Sequence, residues 1–245
     1  MRSVLRINRF LAAAGLGSRR KCEELIRKGV VFVNDRRVET LTLTIDPEKD
    51  SVTVLGKSVT MRTATVVLVL NKPVGVLSTV TDSFDRKTVI DIACEKGYED
   101  RLFPVGRLDL DTSGLLILTN DGDLAYRLTH PRFKIEKTYR VTVEGNISDE
   151  AVSRIASGIK TDDFVTQPCE VKVTMRKGSK SELTVTLREG MKRQVRRMFA
   201  LFGHKVIALH RTTLGDLEFK DLKLGEIRPL TKREERRLRE LTGLA

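Results

Sequence analysis

Apolar positions change period several times along the chain, and each change marks an element. Ile7, Phe10, Leu11 and Ala14 fall at i, i+3, i+4 and i+7, one helical stripe that Gly15 stops. Ser18 is placed to cap a second helix, in which Cys22, Leu25 and Ile26 repeat the stripe up to Gly29. VVFV, the turn pair Asn34-Asp35 and RRVE then read as a small hairpin. Residues 41–63 alternate weakly (SVTVLGKSV) and end at MRTAT, which sets a boundary between units 1–62 and 63–245. Beyond it, VVLVLNKPVGVLST begins as a buried strand and breaks at Lys72-Pro73 and Gly75. A lysine in that apolar context needs either a partner or an exit to solvent.

LLILT (115–119) is a second apolar run of strand length. The DLAYRL that follows reads as a short helix, with Asp121 and Asp123 in capping or turn roles. In KIEKTYRVTVEG, Val141 and Val143 alternate with polar residues, and Tyr139 shares their parity, so it points inward. Ser148 starts a helix that ends near Gly158. EVKVTM and ELTVTL flank RKGSKS as a hairpin. Finally Val195, Met198, Phe199 and Phe202 make a helical stripe closed by Gly203.

Charge changes the picture from a generic globular chain to one with a polyanionic partner. The net charge is +12, and clustered Lys and Arg gain affinity for phosphates by releasing counterions. Residues 1–40 hold ten Lys or Arg against four acids, and Arg19-Arg20-Lys21 sits at a helix N-terminus, where it opposes the dipole and favours phosphate. Three scattered cysteines and three histidines without ligand spacing exclude a disulfide framework and a structural zinc site. With no apolar leader and no long apolar run, the chain reads as soluble and cytoplasmic.

The candidate chemistry lies in GRLDLDTSGLLILTNDG, residues 106–122. Asp109 and Asp111 are two apart, and nothing in the sequence fixes their separation as an acid–base pair. One is expected to face a site and the other solvent. Arg107-Leu108 anchors Asp109 to a core segment, whereas Thr112-Ser113-Gly114 gives Asp111 a turn-like setting, so Asp109 is favoured. The span 190–211 holds six Lys or Arg and no acid. Arg193 and Arg197 lie opposite the apolar stripe. Arg196 lies at its margin, about 100° from Val195. There it is partly buried and needs a carboxylate, for which Asp109 is the candidate.

RINRFLAAAGLGSRRKCEELIRKGVVFVNDRRV resembles the S4 RNA-binding domain, a helix–helix–hairpin module. LNKPVGVLST, PVGRLDLDTSGLLILTNDG, KTYRV and REGMKRQVRRMFALFGHKV resemble successive motifs of the RsuA/RluB/RluE/RluF family of ribosomal RNA pseudouridine synthases, and the likeness spans nearly the whole chain. The resemblance implies an α+β fold, in which the S4 domain is followed by a catalytic domain built on a mixed, mainly antiparallel sheet with flanking helices. It implies isomerisation of uridine to pseudouridine in ribosomal RNA, free or in an assembling ribosome, with no cofactor, no catalytic metal, no membrane and no oligomer. Carried over by motif, Asp109 is the catalytic aspartate, Tyr139 packs on the target base, Arg196 pairs with the catalytic carboxylate and Val195 lines the uracil pocket. Lys72 lies in the family's KPxG motif; Arg107, Arg193 and Arg197 complete the expected substrate contacts. Arg6, Arg19, Arg20, Lys21 and Lys192 are the expected RNA contacts. Met191 departs from the family, which often has a basic residue there.

The GRLD segment looks most like the RluB subgroup, which acts on large-subunit (23S) RNA. A small-subunit (16S) target, transfer RNA and a non-enzymatic S4 assembly factor are the alternatives, and the last leaves GRLD, KTY and RQVRR unexplained. Asp111 is expected to shape the loop and to tolerate Asn, and a flexible tether is expected near residue 60.

Overall fold

In the computed structural model, β1 (Leu5–Arg6) runs into α1 (Ile7–Ala13), and α2 (Arg19–Arg27) follows with the Ser18 hydroxyl accepting from the Lys21 amide. The residues described are 4–61, 64–161, 163–218 and 222–244. The chain divides into two compact units, Met1–Thr65 and Val66–Ala245. Part of the expected tether, residues 62 and 63, lies outside the described residues.

In the first unit β2 (Val31–Val33) and β3 (Arg36–Arg37) form the expected hairpin. Asn34 and Asp35 take φ of 49° and 63°, the left-handed pair that lets a two-residue turn match strand twist. β4 (Thr44–Ile45) pairs with β1, while β5 (Val52–Val54) and β6 (Lys57–Ser58) extend the hairpin into a four-stranded sheet. Ile7, Phe10, Leu11, Cys22 and Ile26 close on Val31, Val52 and Val54, so the two helical stripes share one core with the sheet.

The second unit is built on a nine-stranded mixed sheet. β7 (Val67–Lys72), α3 (Val89–Glu95), β8 (Phe103–Pro104), β9 (Ser113–Thr119), α4 (Gly122–Thr129) and β10 (Lys137–Glu144) come first in the chain. They are followed by α5 (Asp149–Ala156), β11 (Glu170–Lys177), β12 (Lys180–Leu187) and α6 (Gln194–Ala200). β13 (Val206–Leu214), β14 (Leu217–Glu218), β15 (Ile227–Pro229) and α7 (Lys232–Thr242) complete it. The main path is β11-β12-β10-β13-β9-β7-β15, and the β9–β13 contact is parallel while the other pairings are antiparallel.

The two unbroken apolar runs are explained by this sheet. Val67, Val69, Leu115 and Ile117 face Leu124 and Leu128 of α4 and Leu238 of α7. Their alternates Leu68, Leu70, Leu116 and Leu118 face Val89 and Ile92 of α3. With helices on both faces, every position must be apolar. Further along, Val141 and Val143 of β10 pack with Leu183, Val185 and the α6 stripe, while Arg140 and Glu144 of the opposite parity are exposed. There the pattern alternates. The β11 edge is guarded by charges such as Glu170, Lys172 and Lys177.

Candidate active site

The segment 107–112 joins β8 to β9 and is held almost entirely through its backbone. The carbonyl of Leu108 accepts from the Ser78 hydroxyl at 2.9 Å, and that of Leu110 from the Gly75 amide at 2.8 Å. Lys72, at the end of β7 opposite Gly114, is completely buried, and its Nζ donates to the carbonyls of Pro73 (2.9 Å), Asp109 (3.3 Å) and Thr112 (2.8 Å). The Asp111 carbonyl accepts from Arg196 Nη2 at 2.8 Å. Every carbonyl from 108 to 112 is thus occupied, which fixes the direction in which the Asp109 side chain leaves the loop. Burial pushes the Lys72 ammonium down to about 8, with the negative charges of Asp109 and Asp111 acting against the shift.

Gly114 is where β9 meets β13. A Cβ there would lie 2.3 Å from the Arg211 carbonyl oxygen and 2.5 Å from its nitrogen, and φ is +113°. Only glycine allows this close parallel approach. It brings the loop beside β13 and α6.

The arginines of α6 reach the loop differently from the expectation. Arg196 does not pair with Asp109: its Nε lies 3.3 Å from Asp111 Oδ2, out of line for a hydrogen bond, and its Nη1 donates to the Val206 carbonyl at 2.8 Å. Arg193 also takes Asp111, through Nη1 at 3.3 Å and Nη2 at 3.1 Å, and approaches Asp109 Oδ2 only to 4.0 Å. Arg193 precedes α6 with φ of +53°, a left-handed conformation costing a non-glycine residue about 1–2 kcal/mol. Burial alone would raise the Asp111 carboxyl, but hydrogen bonds from Arg193 and the charge of Arg196 outweigh it and hold the group below its usual range.

These elements enclose a cleft of about 650 Å³. Asp109 stands at it with its side chain 35% exposed. Tyr139, half-buried and of the same parity as Val141 and Val143, lines it as expected, as does Val195. Arg107, Lys192 and Arg193 line its polar side. Arg197 does not: it pairs with Asp163 and lies over the Phe164 ring at 5.3 Å from the centroid, away from the cleft. Arg6, Arg19, Arg20 and Lys21 belong to the first unit, where all four are exposed. Asp121 caps α4 by accepting from the amides of Asp123 and Leu124 and also meets Arg239 at 3.1 Å.

Four basic residues that line the cleft, His130, Lys137, Arg188 and Arg211, have no role in the sequence reading. Lys137 lies two positions before Tyr139 on the same strand face, and Arg211 lies on β13 with only 3% exposure. The shared parity with Tyr139 was the available signal for Lys137; the burial of Arg211 has no local signature. Among the described residues no group of three or more His, Cys, Asp or Glu could hold a metal ion, and no helix is long and apolar enough to cross a membrane.

Residues 66–201 match the family model for RNA pseudouridylate synthase, and residues 5–49 match the S4 domain. The ribosomal large subunit pseudouridine synthase B of Bacillus subtilis (strain 168) is 41% identical over 238 residues, covering 96% of each chain. The dual-specificity RNA pseudouridine synthase RluF of Salmonella typhi is 36% identical, covering 94% of this chain and 76% of its own. A crystal structure of a pseudouridylate synthase aligns with a TM-score of 0.66 and 31% identity, covering 96% of this chain and 99% of that one. A GRLD loop locked by its carbonyls, a mixed sheet behind it and an S4 domain in the same chain agree with these matches: the chain belongs to the RNA pseudouridine synthase family.

Proposed function

We propose that this chain converts a uridine of large-subunit ribosomal RNA to pseudouridine, with Asp109 as the reacting carboxylate. The observation that carries the assignment is the locked loop: every carbonyl from 108 to 112 is occupied, and Asp109 stands at a cleft lined by Tyr139 and Val195. The large-subunit target rests on the 41% identity to the Bacillus subtilis synthase B over 96% of both chains.

A uracil in a folded RNA must leave its stack to enter the cleft. Tyr139 and Val195 supply the flat apolar walls that take up the lost stacking. The N1–C1′ bond breaks, the base turns, C5 bonds to C1′ and the C5 proton leaves, so no atom is gained from outside. Asp109 acts at the sugar or the base as an ionised carboxylate, and Arg193, 4.0 Å away, supports that charge. The exposed Arg19, Arg20 and Lys21 of the S4 unit supply sequence-independent phosphate contacts.

The test is tritium release from ribosomal RNA labelled at uracil C5, together with pseudouridine mapping in a deletion strain. Asp109→Asn is expected to abolish release while RNA binding stays within a few fold; a fully active variant overturns the assignment. The dual-specificity relative favours a second reading in which two RNA positions are modified. The mapping therefore covers small-subunit and transfer RNA as well.

A further inference from the structure

Arg211 is 97% buried on the wall of the cleft. Its Nε donates to the Leu115 carbonyl at 2.7 Å, but among the described residues its buried Nη2 has no hydrogen-bond partner. A buried donor left without an acceptor destabilises the fold, so the protein is less stable for keeping it. The neighbouring Lys137 uses one of its three donors, on the Ile135 carbonyl at 2.9 Å. Burial, and then the charge of Arg211, push its ammonium down to about 8, with Glu189 acting the other way. Two cations are therefore crowded together in a partly dehydrated recess. Glu189, the carboxylate that acts on Lys137, receives the Gln194 side chain at 2.6 Å and the Gln167 amide at 3.0 Å. Both donors take Oε1 of Glu189, and among the described residues no acceptor meets Arg211 Nη2; a carbonyl brought into the cleft against Arg211 and Lys137 would supply one.

Which acceptor follows from the orientation of the base. Asp109, the reacting carboxylate of the proposed function, is more than a third exposed, and the bond that opens joins N1 to C1′, so the sugar end of the nucleoside lies beside it. On a uracil ring the exocyclic O4 sits on C4, across the ring from N1 and therefore farthest from C1′. A base entering with its sugar end at Asp109 carries O4 deepest, toward Arg211, the most buried cation of the cleft lining. We infer that Arg211 and Lys137 form a base-reading pair that receives the O4 carbonyl of the flipped uracil. Cytosine presents an amino group at the same position, a donor facing donors, and is rejected for that reason. The inference rests on the reading of the cleft as a uridine site.

The experiment uses the full chain carrying Asp109→Asn, so that bound RNA is not converted. Two transcripts of the mapped ribosomal RNA segment are compared, one with uridine and one with cytidine at the target. The parent is expected to prefer the uridine transcript. Adding Lys137→Met is expected to weaken uridine binding roughly tenfold, with cytidine binding unchanged. Arg211→Gln is expected to do the same or more, and its melting temperature separates lost recognition from lost folding; if it does not fold, Lys137→Met decides. Equal loss for both transcripts would mean that the pair binds phosphate or supports the fold, and the inference is then overturned. Unchanged binding, or a parent without preference, overturns it too. Tritium release by the unmutated chain separates the two readings: a wild type that releases none removes the uridine assignment itself, whereas an active wild type with unaltered discrimination in the variants removes only the base-reading pair.

Discussion

Arg196 holds Asp111 at two points, its Nη2 on the Asp111 carbonyl at 2.8 Å and its Nε 3.3 Å from the carboxylate. Its side chain is 12% exposed. Since Arg193 takes the same carboxylate, Asp111 is the hinge pin between the loop and α6. Asp111→Asn removes the counter-charge of both arginines and lets Asp109 drift. We expect a loss of roughly tenfold to a hundredfold in tritium release and about 1–2 kcal/mol in stability. Near-full activity would restore the passive role first expected for this residue.

The same pair sets a pH dependence. Asp111 is held below its ordinary value of 3.8 in the folded chain. Its stabilising contribution is therefore complete above the ordinary range and disappears as pH falls through the lowered value. Urea unfolding at several pH values should show the gap between wild type and Asp111→Asn closing as the solution is acidified below about 4.

Lys72 behaves in the opposite sense. Its folded value is about 8 against 10.5 for an ordinary lysine. Between those values the unfolded chain binds more protons, so this residue's contribution makes stability rise with pH. Lys72→Met should lose that rise and cost about 3 kcal/mol at neutral pH, because three buried carbonyls lose their donor. Denaturant titrations at pH 7 and pH 9.5 check both statements.

Gly114→Ala should be severe. Its added methyl group meets the Arg211 backbone at 2.3 Å, so β9 and β13 cannot keep their parallel contact. A loss of about 4 kcal/mol or more is expected, read as a lowered melting temperature or insoluble expression. Ordinary stability would mean that the sheet can open at this junction without cost.

Arg197→Ala is the contrasting case. With its partner Asp163 outside the cleft, the substitution should leave tritium release within a few fold and change stability by less than about 1 kcal/mol. A large loss of activity would return Arg197 to the substrate contacts.

The S4 face should act through salt. Replacing Arg19, Arg20 and Lys21 together with alanine should flatten the plot of log affinity against log salt by about two to three in slope. The rate at saturating RNA should change little.

Much of this protein was written in local signals. Ser18, Asp121 and Ser148 cap the helices that their positions announce, because a cap needs only an oxygen and an amide two or three residues on. The turn at Asn34-Asp35 and the inward parity of Tyr139 are equally local. So are the unbroken apolar runs of β7 and β9, whose composition requires burial on both faces. The family motifs identified the loop and α6 as parts of one site without giving their contacts.

What only the tertiary structure decided is which charge meets which. Lys72 finds its carbonyls 37 and 40 residues away. Arg196 meets Asp111 and not Asp109, because the parallel junction at Gly114 sets where the loop lies against α6. Arg197, one step of about 100° further round the helix, is turned to Asp163. Arg211 becomes a buried cation because β13 runs beneath the cleft. A side chain's own type and spacing fix its face on a helix or strand. Its partner depends on how two distant elements pack, and a shift of a few ångströms in that packing exchanges one carboxylate for its neighbour.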